Sequence, residues 1–172
     1  MDLRLKGRIG KISTLIFDVD GVFTDGTIIV TDTDVQRVFN VKDGYAVQMA
    51  LKAGYKMAVI SGGKQESIRT RLGGLGIPEI HLSVSTDGKP AVLDSLLAKW
   101  ELEEEEVLYI GDDIPDLLLM KGRKIFKACP TDARPEVLDQ ADFICPSKGG
   151  HGAVRDVIEL VMKTQDTWMK QY

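Results

Sequence analysis

Short, continuous apolar runs separated by helical patterns constrain the fold of this chain more than any other feature. Six such runs lie at residues 15–17, 55–61, 79–84, 107–110, 124–129 and 141–145. A strand that is apolar on both faces is typical of a parallel sheet covered by helices on both sides. The pattern therefore predicts an α/β fold with a mostly parallel central sheet.

Helical spacing of apolar residues and a hairpin pattern fill the intervals between these runs. The predicted helices cover residues 43–53, 64–75, 89–100, 115–120, 135–138 and 153–162. Residues 27–31 and 35–41 flank a polar turn at 32–34, which predicts a β-hairpin over about 26–41. A chain of 172 residues suits one domain, here expected to span 1–172, with a glycine-rich C-terminal tail over about 147–172.

The composition excludes several classes of function. A net charge of −4 and a pI of about 5.2 argue against nucleic-acid binding, which needs a basic surface. No segment approaches the ~18 apolar residues of a membrane span, and residues 1–8 lack the apolar core of a signal peptide. Cys129 and Cys145 fit reduced core thiols. We therefore expect a cytoplasmic protein with no membrane or nucleic-acid partner.

Polar residues follow the apolar runs at the ends where a parallel sheet binds ligands. Asp18 and Asp20 follow the first run, and their alternate positions let both face one site. Ser61 ends the second run and is followed by two glycines, of which Gly62 is a candidate phosphate ligand, and we expect this segment to lie at a helix N-terminus. Asp112 with Asp113 follows the fourth run, while Asp116 and Lys89 lie at predicted helix starts.

Several carboxylates in one crevice repel one another, so the cluster requires a cation. The chain has two histidines and two cysteines in no ligand spacing, and oxygen ligands suit Mg²⁺. Mg²⁺ usually accompanies phosphate, for which Ser61 and Lys89 offer a donor and a positive charge. A carboxylate can then attack phosphorus and form an aspartyl-phosphate. We assign Asp18 as the nucleophile and Asp20 as the acid–base group.

Each of these features also has a simpler explanation when it is taken alone. An Asp-x-Asp pair is often only a turn, and Gly-Asp-Asp could merely cap the following helix. An isolated lysine is usually exposed, and Arg37, Asn40 and Asp43 could equally be surface residues. His151 is expected to be exposed and His81 structural. The joint placement of the polar groups at successive strand ends favours a functional site.

The sequence resembles the haloacid dehalogenase-type phosphatases. The resemblance rests on four segments in that family's order: Asp18-Val19-Asp20-Gly21-Val22, Ser61-Gly62, Lys89, and Gly111-Asp112-Asp113-Ile114-Pro115-Asp116. The segments 39–44 and 149–156 extend the likeness to a branch that lacks a cap domain. It covers about 15–157, nearly the whole chain.

The resemblance implies a Rossmann-like three-layer sandwich without a cap, in which the hairpin is inserted after the first strand. It implies a homotetramer whose neighbouring subunits complete each active site, and a movable lid near Gly150. Mg²⁺ would be held by Asp18, the Asp20 carbonyl and Asp112. Further supporting or substrate-binding residues are expected among Asp113, Asp116, Thr24, Asp25, Arg37, Asn40, Asp43, Arg69, Arg71 and Gly150.

The implied reaction is hydrolysis of a sugar-acid phosphate, 3-deoxy-D-manno-octulosonate 8-phosphate, in lipopolysaccharide biosynthesis. The alternative within this class is 2-keto-3-deoxynononate 9-phosphate, whose phosphatases tend to carry a glutamate where this chain has Gly63. The family commonly has an arginine at that position, and the segment 83–88 also departs from its usual sequence. These departures bear on the assignment of the substrate more than on the assignment of the reaction class.

Two other classes of protein share parts of the pattern. A phospho-accepting receiver domain also combines strand-end acids, a hydroxyl and a lysine, but it is phosphorylated at its third strand. Here the third run, 79–84, ends without an aspartate. A non-catalytic oligomerisation module is disfavoured because every motif acid is retained.

Overall fold

The predicted apolar runs form a six-stranded, entirely parallel sheet in the computed structural model, which describes residues 2–170. The strands are β1 (Thr14–Phe17), β4 (Lys56–Ile60), β5 (Glu79–His81), β6 (Val107–Ile110), β7 (Phe126–Cys129) and β8 (Phe143–Ile144). Their order is β5-β4-β1-β6-β7-β8. The first strand, β1, therefore lies inside the sheet, with β4 and β5 on one side of it and β6, β7 and β8 on the other.

Within residues 2–170, seven α-helices surround this sheet. They are α1 (Leu3–Ile9), α2 (Val41–Lys52), α3 (Glu66–Gly74), α4 (Lys89–Trp100), α5 (Ile114–Met120), α6 (Pro135–Leu138) and α7 (Ala153–Thr164). The helix α1 was not predicted, because a seven-residue helix with one buried residue leaves little apolar periodicity in the sequence. None of the helices within residues 2–170 is both long and apolar enough to cross a membrane.

Alternate residues of the central strand belong to two separate cores. Leu15 and Phe17 pack with residues of α2, α3 and α7 on one face, whereas Ile16 packs with α4, α5 and α6 on the other. This division follows from the two-residue periodicity of a strand. It produces the three-layer sandwich, and it places the buried free thiols of Cys129 and Cys145 in opposite cores.

The hairpin is confirmed, but its paired region is shorter than predicted. The strands β2 (Ile29–Val30) and β3 (Val35–Gln36) form an antiparallel two-stranded sheet separate from the main one. Residues 37–40 have already left the ladder when they reach α2. The two strands have no third strand beside them that would stabilise a longer paired region.

Two other features differ from the sequence prediction. The third predicted strand, 79–84, stops at His81, because the chain bends at Ser83, whose φ is +58°. The helix α3 begins at Glu66, five residues after Ser61, so this serine does not lie at a helix N-terminus. By contrast, the helix predicted over 153–162, within the tail at 147–172, is confirmed as α7, and residues 171–172 lie outside the described part of the chain.

Candidate active site

The polar residues that follow β1, β4 and β6 meet at the carboxyl edge of the sheet. Because these three strands are neighbours, Asp18, Ser61 and Asp112 lie around one cavity of about 300 Å³. The cavity is lined by Asp18, Asp20, Gly26, Ser61, Gly62, Gly63, Val84, Thr86, Lys89, Asp112, Asp113, Pro115 and Asp116. This is the position at which open parallel sheets bind ligands.

Asp18 is buried at the base of this cavity beside a lysine. The residue is 7% exposed, and its Oδ1 lies 3.0 Å from Nζ of Lys89, which is itself buried at the start of α4. Burial and the negative charge of Asp116 raise the pKa of Asp18 well above its ordinary value, although Lys89 opposes the rise. An isolated lysine is usually a surface residue, but Lys89 is buried and supplies a positive charge to the site.

Asp116 organises the floor of the cavity through four hydrogen bonds. Its Oδ1 accepts from Lys89 Nζ and from the hydroxyl of Tyr109, both at 2.6 Å. Its Oδ2 accepts from the backbone N–H groups of Asp112 at 3.0 Å and Asp113 at 3.3 Å. Sequence reasoning missed Tyr109, whose only signal is a hydroxyl inside an otherwise apolar strand. Asp113 caps α5 with its side chain, as the simpler explanation of Gly-Asp-Asp proposed.

Among the described residues, no side chain donates a hydrogen bond to the carboxylate of Asp112, and other carboxylates lie near it. Burial, with the charges of Asp116 and Asp113, raises its pKa to about 7. Gly21 lies directly against the Asp112 carboxylate: its φ is +81°, and a Cβ there would lie 2.0 Å from Asp112 Oδ2. Only glycine allows this close approach.

The acidic cluster has the composition of a site for a hard divalent cation. Single carboxylate oxygens of Asp18, Asp112 and Asp116 lie within 4.8 Å of one another, and Lys89 supplies only one positive charge among them. The four donors to Asp116 occupy its oxygens, so Asp18 and Asp112 are the carboxylates with free coordination capacity. Carboxylate oxygens and excess negative charge suit Mg²⁺.

The segment after β4 presents a hydroxyl and backbone groups to the cavity without a helix behind it. Ser61 is 1% exposed, and its Oγ accepts a hydrogen bond from the N–H of Gly63 at 3.1 Å. Because α3 begins only at Glu66, the helix dipole does not act directly on this segment. Any anion recognition here depends on Ser61, Gly62 and the nearby Lys89.

Asp20 lies at the rim of the cavity and is held by a residue from the hairpin connection. Arg37 donates from Nε to Asp20 Oδ1 at 2.6 Å and from Nη2 to Oδ2 at 3.0 Å. The Arg37 side chain is only 8% exposed. The interpretation of Arg37 as a surface residue is therefore wrong, because the hairpin folds back over the first strand's loop.

Three further predicted residues connect α2, α7 and the loop that follows β1. Asn40 caps α2 and donates a hydrogen bond to the carbonyl of Gly150 at 3.3 Å. Asp43 is fully buried, and its Oδ1 accepts from the N–H of Arg155 in the first turn of α7 at 2.9 Å. The N–H of Gly150 donates to the carbonyl of Val22 at 3.0 Å. Asn40 and Asp43 are structural links here, not free surface residues.

Four more predicted supporting residues lie outside the cavity lining, as do Arg37, Asn40, Asp43 and Gly150. Thr24 is buried and holds the loop through bonds from the N–H groups of Gly21 and Gly26. The carboxylate of Asp25 accepts from the N–H of the residue two positions later and is exposed. Arg69 donates to the carbonyl of Ile80, and Arg71 faces Gly44 on α2. Both arginines lie on α3 and point away from this chain's own cavity.

The two histidines lie outside the cavity. His151 is exposed, as predicted, and its Nδ1 is 2.8 Å from the carbonyl oxygen of Gly149. His81 is half-buried at the end of β5. Lining residues that the sequence did not indicate are Gly26, Val84, Thr86 and Pro115, which carry no chemical signal of their own.

Comparisons with known proteins identify the family of this chain. Residues 44–125 match the family model described as haloacid dehalogenase-like hydrolase. The 3-deoxy-D-manno-octulosonate 8-phosphate phosphatase of Salmonella typhi is 36% identical over 156 residues, covering 90% of this chain and 81% of that protein. The corresponding phosphatase of Yersinia pestis is 36% identical over 160 residues, covering 92% and 84%.

Two solved structures of 3-deoxy-D-manno-octulosonate 8-phosphate phosphatases share the fold. A crystal structure of the Yersinia pestis phosphatase superposes with a TM-score of 0.93 at 32% identity, covering 99% of this chain and 91% of that one. The Moraxella catarrhalis phosphatase, solved with a magnesium ion, a phosphate ion and a KDO molecule, gives a TM-score of 0.90 at 31% identity. That match covers 96% of this chain and 94% of the other.

Proposed function

The chain belongs to the haloacid dehalogenase-like hydrolases, among the 3-deoxy-D-manno-octulosonate 8-phosphate phosphatases, and from this premise we propose its reaction. It is a Mg²⁺-dependent phosphomonoesterase that hydrolyses 3-deoxy-D-manno-octulosonate 8-phosphate to the free sugar acid and phosphate. The observation that carries the proposal is the convergence of Asp18, Ser61, Lys89 and Asp112 on one cavity.

Asp18 is the nucleophile of the first step. One of its carboxylate oxygens attacks phosphorus, the bond from phosphorus to the ester oxygen breaks, and that oxygen leaves with the electron pair. Asp20 donates a proton to the leaving oxygen, so the sugar acid departs as a neutral alcohol. The product on the enzyme is an aspartyl-phosphate at Asp18. Asp20 is suited to the proton transfer because it lies at the rim of the same cavity.

Water completes the cycle in the second step. Asp20, now a carboxylate, takes a proton from the water as the water oxygen attacks phosphorus. The bond between phosphorus and the Asp18 oxygen breaks, which returns the electron pair to the carboxylate and releases phosphate. Asp20 is thereby reprotonated for the next turnover. The pair of acids thus divides nucleophilic and proton-transfer work between two positions of one strand end.

The other residues bind and neutralise the phosphoryl group. Lys89 contributes a fixed positive charge through its pair with Asp18, and Ser61 and Gly62 offer hydroxyl and backbone donors. The residues that would hold Mg²⁺ are Asp18 and Asp112, with the backbone carbonyl of Asp20. When bound, the ion offsets the negative charge of the acids and of the phosphate.

We further propose that the protein acts as a homotetramer of single-domain subunits, each spanning 1–172. The hairpin supports this proposal, because large apolar side chains there are exposed: Ile28 by 47%, Ile29 by 49%, Val30 by 67% and Val38 by 70%. An exposed apolar patch of this kind marks an interaction site. Neighbouring subunits would then complete each cavity, in a cytoplasmic enzyme of lipopolysaccharide biosynthesis.

A substrate panel tests the function. Phosphate release is measured with 3-deoxy-D-manno-octulosonate 8-phosphate, 2-keto-3-deoxynononate 9-phosphate and a neutral sugar phosphate, each with Mg²⁺ and with a chelator. We expect the highest kcat/KM for the octulosonate and loss of turnover without the metal. Equal kcat/KM for all three would refute the substrate assignment. A single burst without further turnover would indicate a receiver-like switch instead.

A further inference from the structure

The bond between Arg37 and Asp20 joins two parts of the fold that are distant in the chain. Arg37 lies between β3 and α2, and its guanidinium makes a two-point bond with the carboxylate at 2.6 and 3.0 Å. No other residue among 2–170 donates a hydrogen bond to the Asp20 side chain. Such a fork fixes both the position and the plane of a carboxylate, which a single donor cannot do.

Arg37 is itself held in place from the opposite side. Its Nη1 donates to Oε1 of Gln65 at 2.7 Å. Gln65 is the N-cap residue of α3, yet its side chain does not cap that helix. The guanidinium also borders Gly63, where a Cβ would lie 3.3 Å from Nη2. The absence of a side chain at Gly63 leaves this space to Arg37.

We infer that Arg37 is a positioning residue that holds the Asp20 carboxyl in line with the leaving oxygen of the substrate. The inference rests on the proposed function, in which Asp20 is the acid–base group. Each Asp20 oxygen accepts one bond from Arg37 and keeps a second lone pair for the transferred proton. The hairpin connection therefore sets the geometry of proton transfer, besides any role in assembly.

The step that depends on this geometry is protonation of the leaving oxygen. A sugar alkoxide is strongly basic and needs the proton of Asp20 as the bond to phosphorus breaks. In 4-nitrophenyl phosphate the ring stabilises the departing electron pair, so the phenolate leaves without a proton. The ratio of kcat/KM for the two esters isolates this step, because kcat/KM includes only events up to departure of the first product.

The test compares Arg37→Gln and Arg37→Lys with the wild-type enzyme on a sugar phosphate and on 4-nitrophenyl phosphate. For Arg37→Gln we expect kcat/KM to fall about 10- to 100-fold on the sugar phosphate, the range for a displaced catalytic group. On the aryl ester the loss should stay below about threefold, because the proton-transfer contribution of about 10²–10⁴ is not used there. Arg37→Lys keeps the positive charge but cannot form the two-point bond. Its kcat/KM on the sugar phosphate should therefore lie between those of the wild-type enzyme and Arg37→Gln.

Arg8→Gln is the matched control. Arg8 forms a comparable two-point bond with Asp142 on the far side of the molecule, outside the cavity. Its removal should change kcat/KM for both esters by the same small factor. An Arg37→Gln loss that is equal on both esters, or absent on both, would overturn the inference.

Two further outcomes are distinguishable. If Arg37→Gln fails to fold, as judged by circular dichroism, the same ratio is read from Arg37→Lys, and an unchanged ratio overturns the inference. Failure of the proposed function appears instead in the wild-type enzyme, as absence of activity on the keto sugar-acid phosphates. The ratio for Arg37 variants can still be measured on any alkyl phosphate that the enzyme accepts.

Discussion

Asp18 has three properties that support the nucleophile role proposed for it. It is buried, it is paired with Lys89 at 3.0 Å, and it faces a cavity of about 300 Å³ that can admit a phosphate ester. Burial raises its pKa, which shows that placing a charge there costs the folded state stability. A stability cost at a catalytic position is common, because function and stability favour different side chains.

Replacing Asp18 with asparagine should abolish turnover while leaving the fold intact. Asparagine has nearly the same shape but cannot form the aspartyl-phosphate, and we expect kcat to fall by at least about 10³-fold. Steady-state phosphate release under saturating substrate measures this, with circular dichroism as the control for folding. Full turnover by a folded Asp18→Asn enzyme would exclude the mechanism.

Asp112→Asn should have opposite effects on stability without Mg²⁺ and on the stabilisation that Mg²⁺ provides. Without metal, the substitution removes one negative charge from the cluster with Asp18 and Asp116, so we expect the Tm in chelator to rise. Wild-type protein should gain about 2.7 kcal/mol at a Mg²⁺ concentration about 100 times Kd, and the variant much less at that concentration. Thermal unfolding with and without Mg²⁺ measures both effects. Equal Mg²⁺ shifts in the two proteins would contradict this assignment.

At the scale of elements, α2 and α7 are joined by a buried carboxylate. The residue just before α7 is Gly152, which has no side chain to cap the helix, and Asp43 of α2 supplies the acceptor to Arg155 N–H from outside. Its Oδ2 has no hydrogen-bond partner among the described residues. Burial, with the charge of Asp156, raises the pKa of Asp43 to about 6, although the Arg155 N–H opposes the rise.

This pKa predicts a pH dependence of stability. Between about pH 4 and pH 6 the folded state keeps a proton on Asp43 that the unfolded state has released, so stability falls as pH rises through this window. Asp43→Asn cannot ionise, and its amide oxygen can still accept the Arg155 N–H. We expect the variant to gain about 1 to 3 kcal/mol over wild type between about pH 4.5 and pH 7.5.

Urea unfolding at several pH values in chelator measures this difference. Comparison with wild type cancels the titration of other groups, including the Asp112 carboxyl. Wild-type and Asp43→Asn curves that stay parallel across the whole range would contradict the raised pKa of Asp43.

The segment before α7 packs tightly on the loop that follows β1. A Cβ at Gly149 would lie 1.9 Å from the carbonyl oxygen of Gly21 and 2.9 Å from that of Thr24. Gly149→Ala should therefore cost about 1 to 3 kcal/mol of stability, as overpacking does elsewhere. It should also lower kcat/KM, because the displaced loop carries Asp20.

Gly7→Ala provides the control for the Gly149 prediction. Gly7 lies inside α1, and beyond its own helix and chain neighbours no atom lies within 4 Å of the position that a Cβ would occupy. Alanine should therefore stabilise the helix by about 0.5 to 1 kcal/mol. Urea unfolding of both variants gives the comparison. A Gly149→Ala protein as stable and active as wild type would show that this contact is not maintained in solution.

At the scale of the whole molecule, the hairpin is exposed on one side and linked to the active site on the other. Its strands present apolar side chains to solvent, whereas Arg37 at its base reaches Asp20. In the homotetramer proposed above, assembly through the hairpin and geometry at the cavity would be coupled through this one short segment.

Val30→Lys should disrupt the proposed homotetramer. A charge on this exposed apolar strand would have to be buried in the interface, which costs several kcal/mol when it is unpaired. Light scattering after size-exclusion chromatography should show a smaller species, with reduced kcat/KM. Leu3→Lys, at an 85% exposed apolar residue outside the hairpin, should leave the mass unchanged. A monomeric wild-type protein would contradict the proposal.

The sequence by itself determined the elements that depend on local pattern. Continuous apolar runs identified the parallel sheet, and acids one residue apart after the first run predicted that Asp18 and Asp20 could face one site, because side-chain direction in a strand alternates with each residue. Oxygen ligands without a histidine or cysteine set indicated Mg²⁺. Hairpin, buried thiols and strand-end placement followed from similarly local signals.

Only the tertiary structure decided which polar groups meet. Arg37, which the sequence alone could not distinguish from a surface residue, reaches Asp20 because the hairpin folds back. Tyr109 joins Asp116 because a strand and a helix start pack together. Arg69 and Arg71 contact the carbonyl of Ile80 and the glycine at position 44 instead, because packing of α3 against the end of β5 and against α2 decides which neighbours they meet. Contacts between distant segments depend on packing of the whole chain, and no local periodicity encodes them.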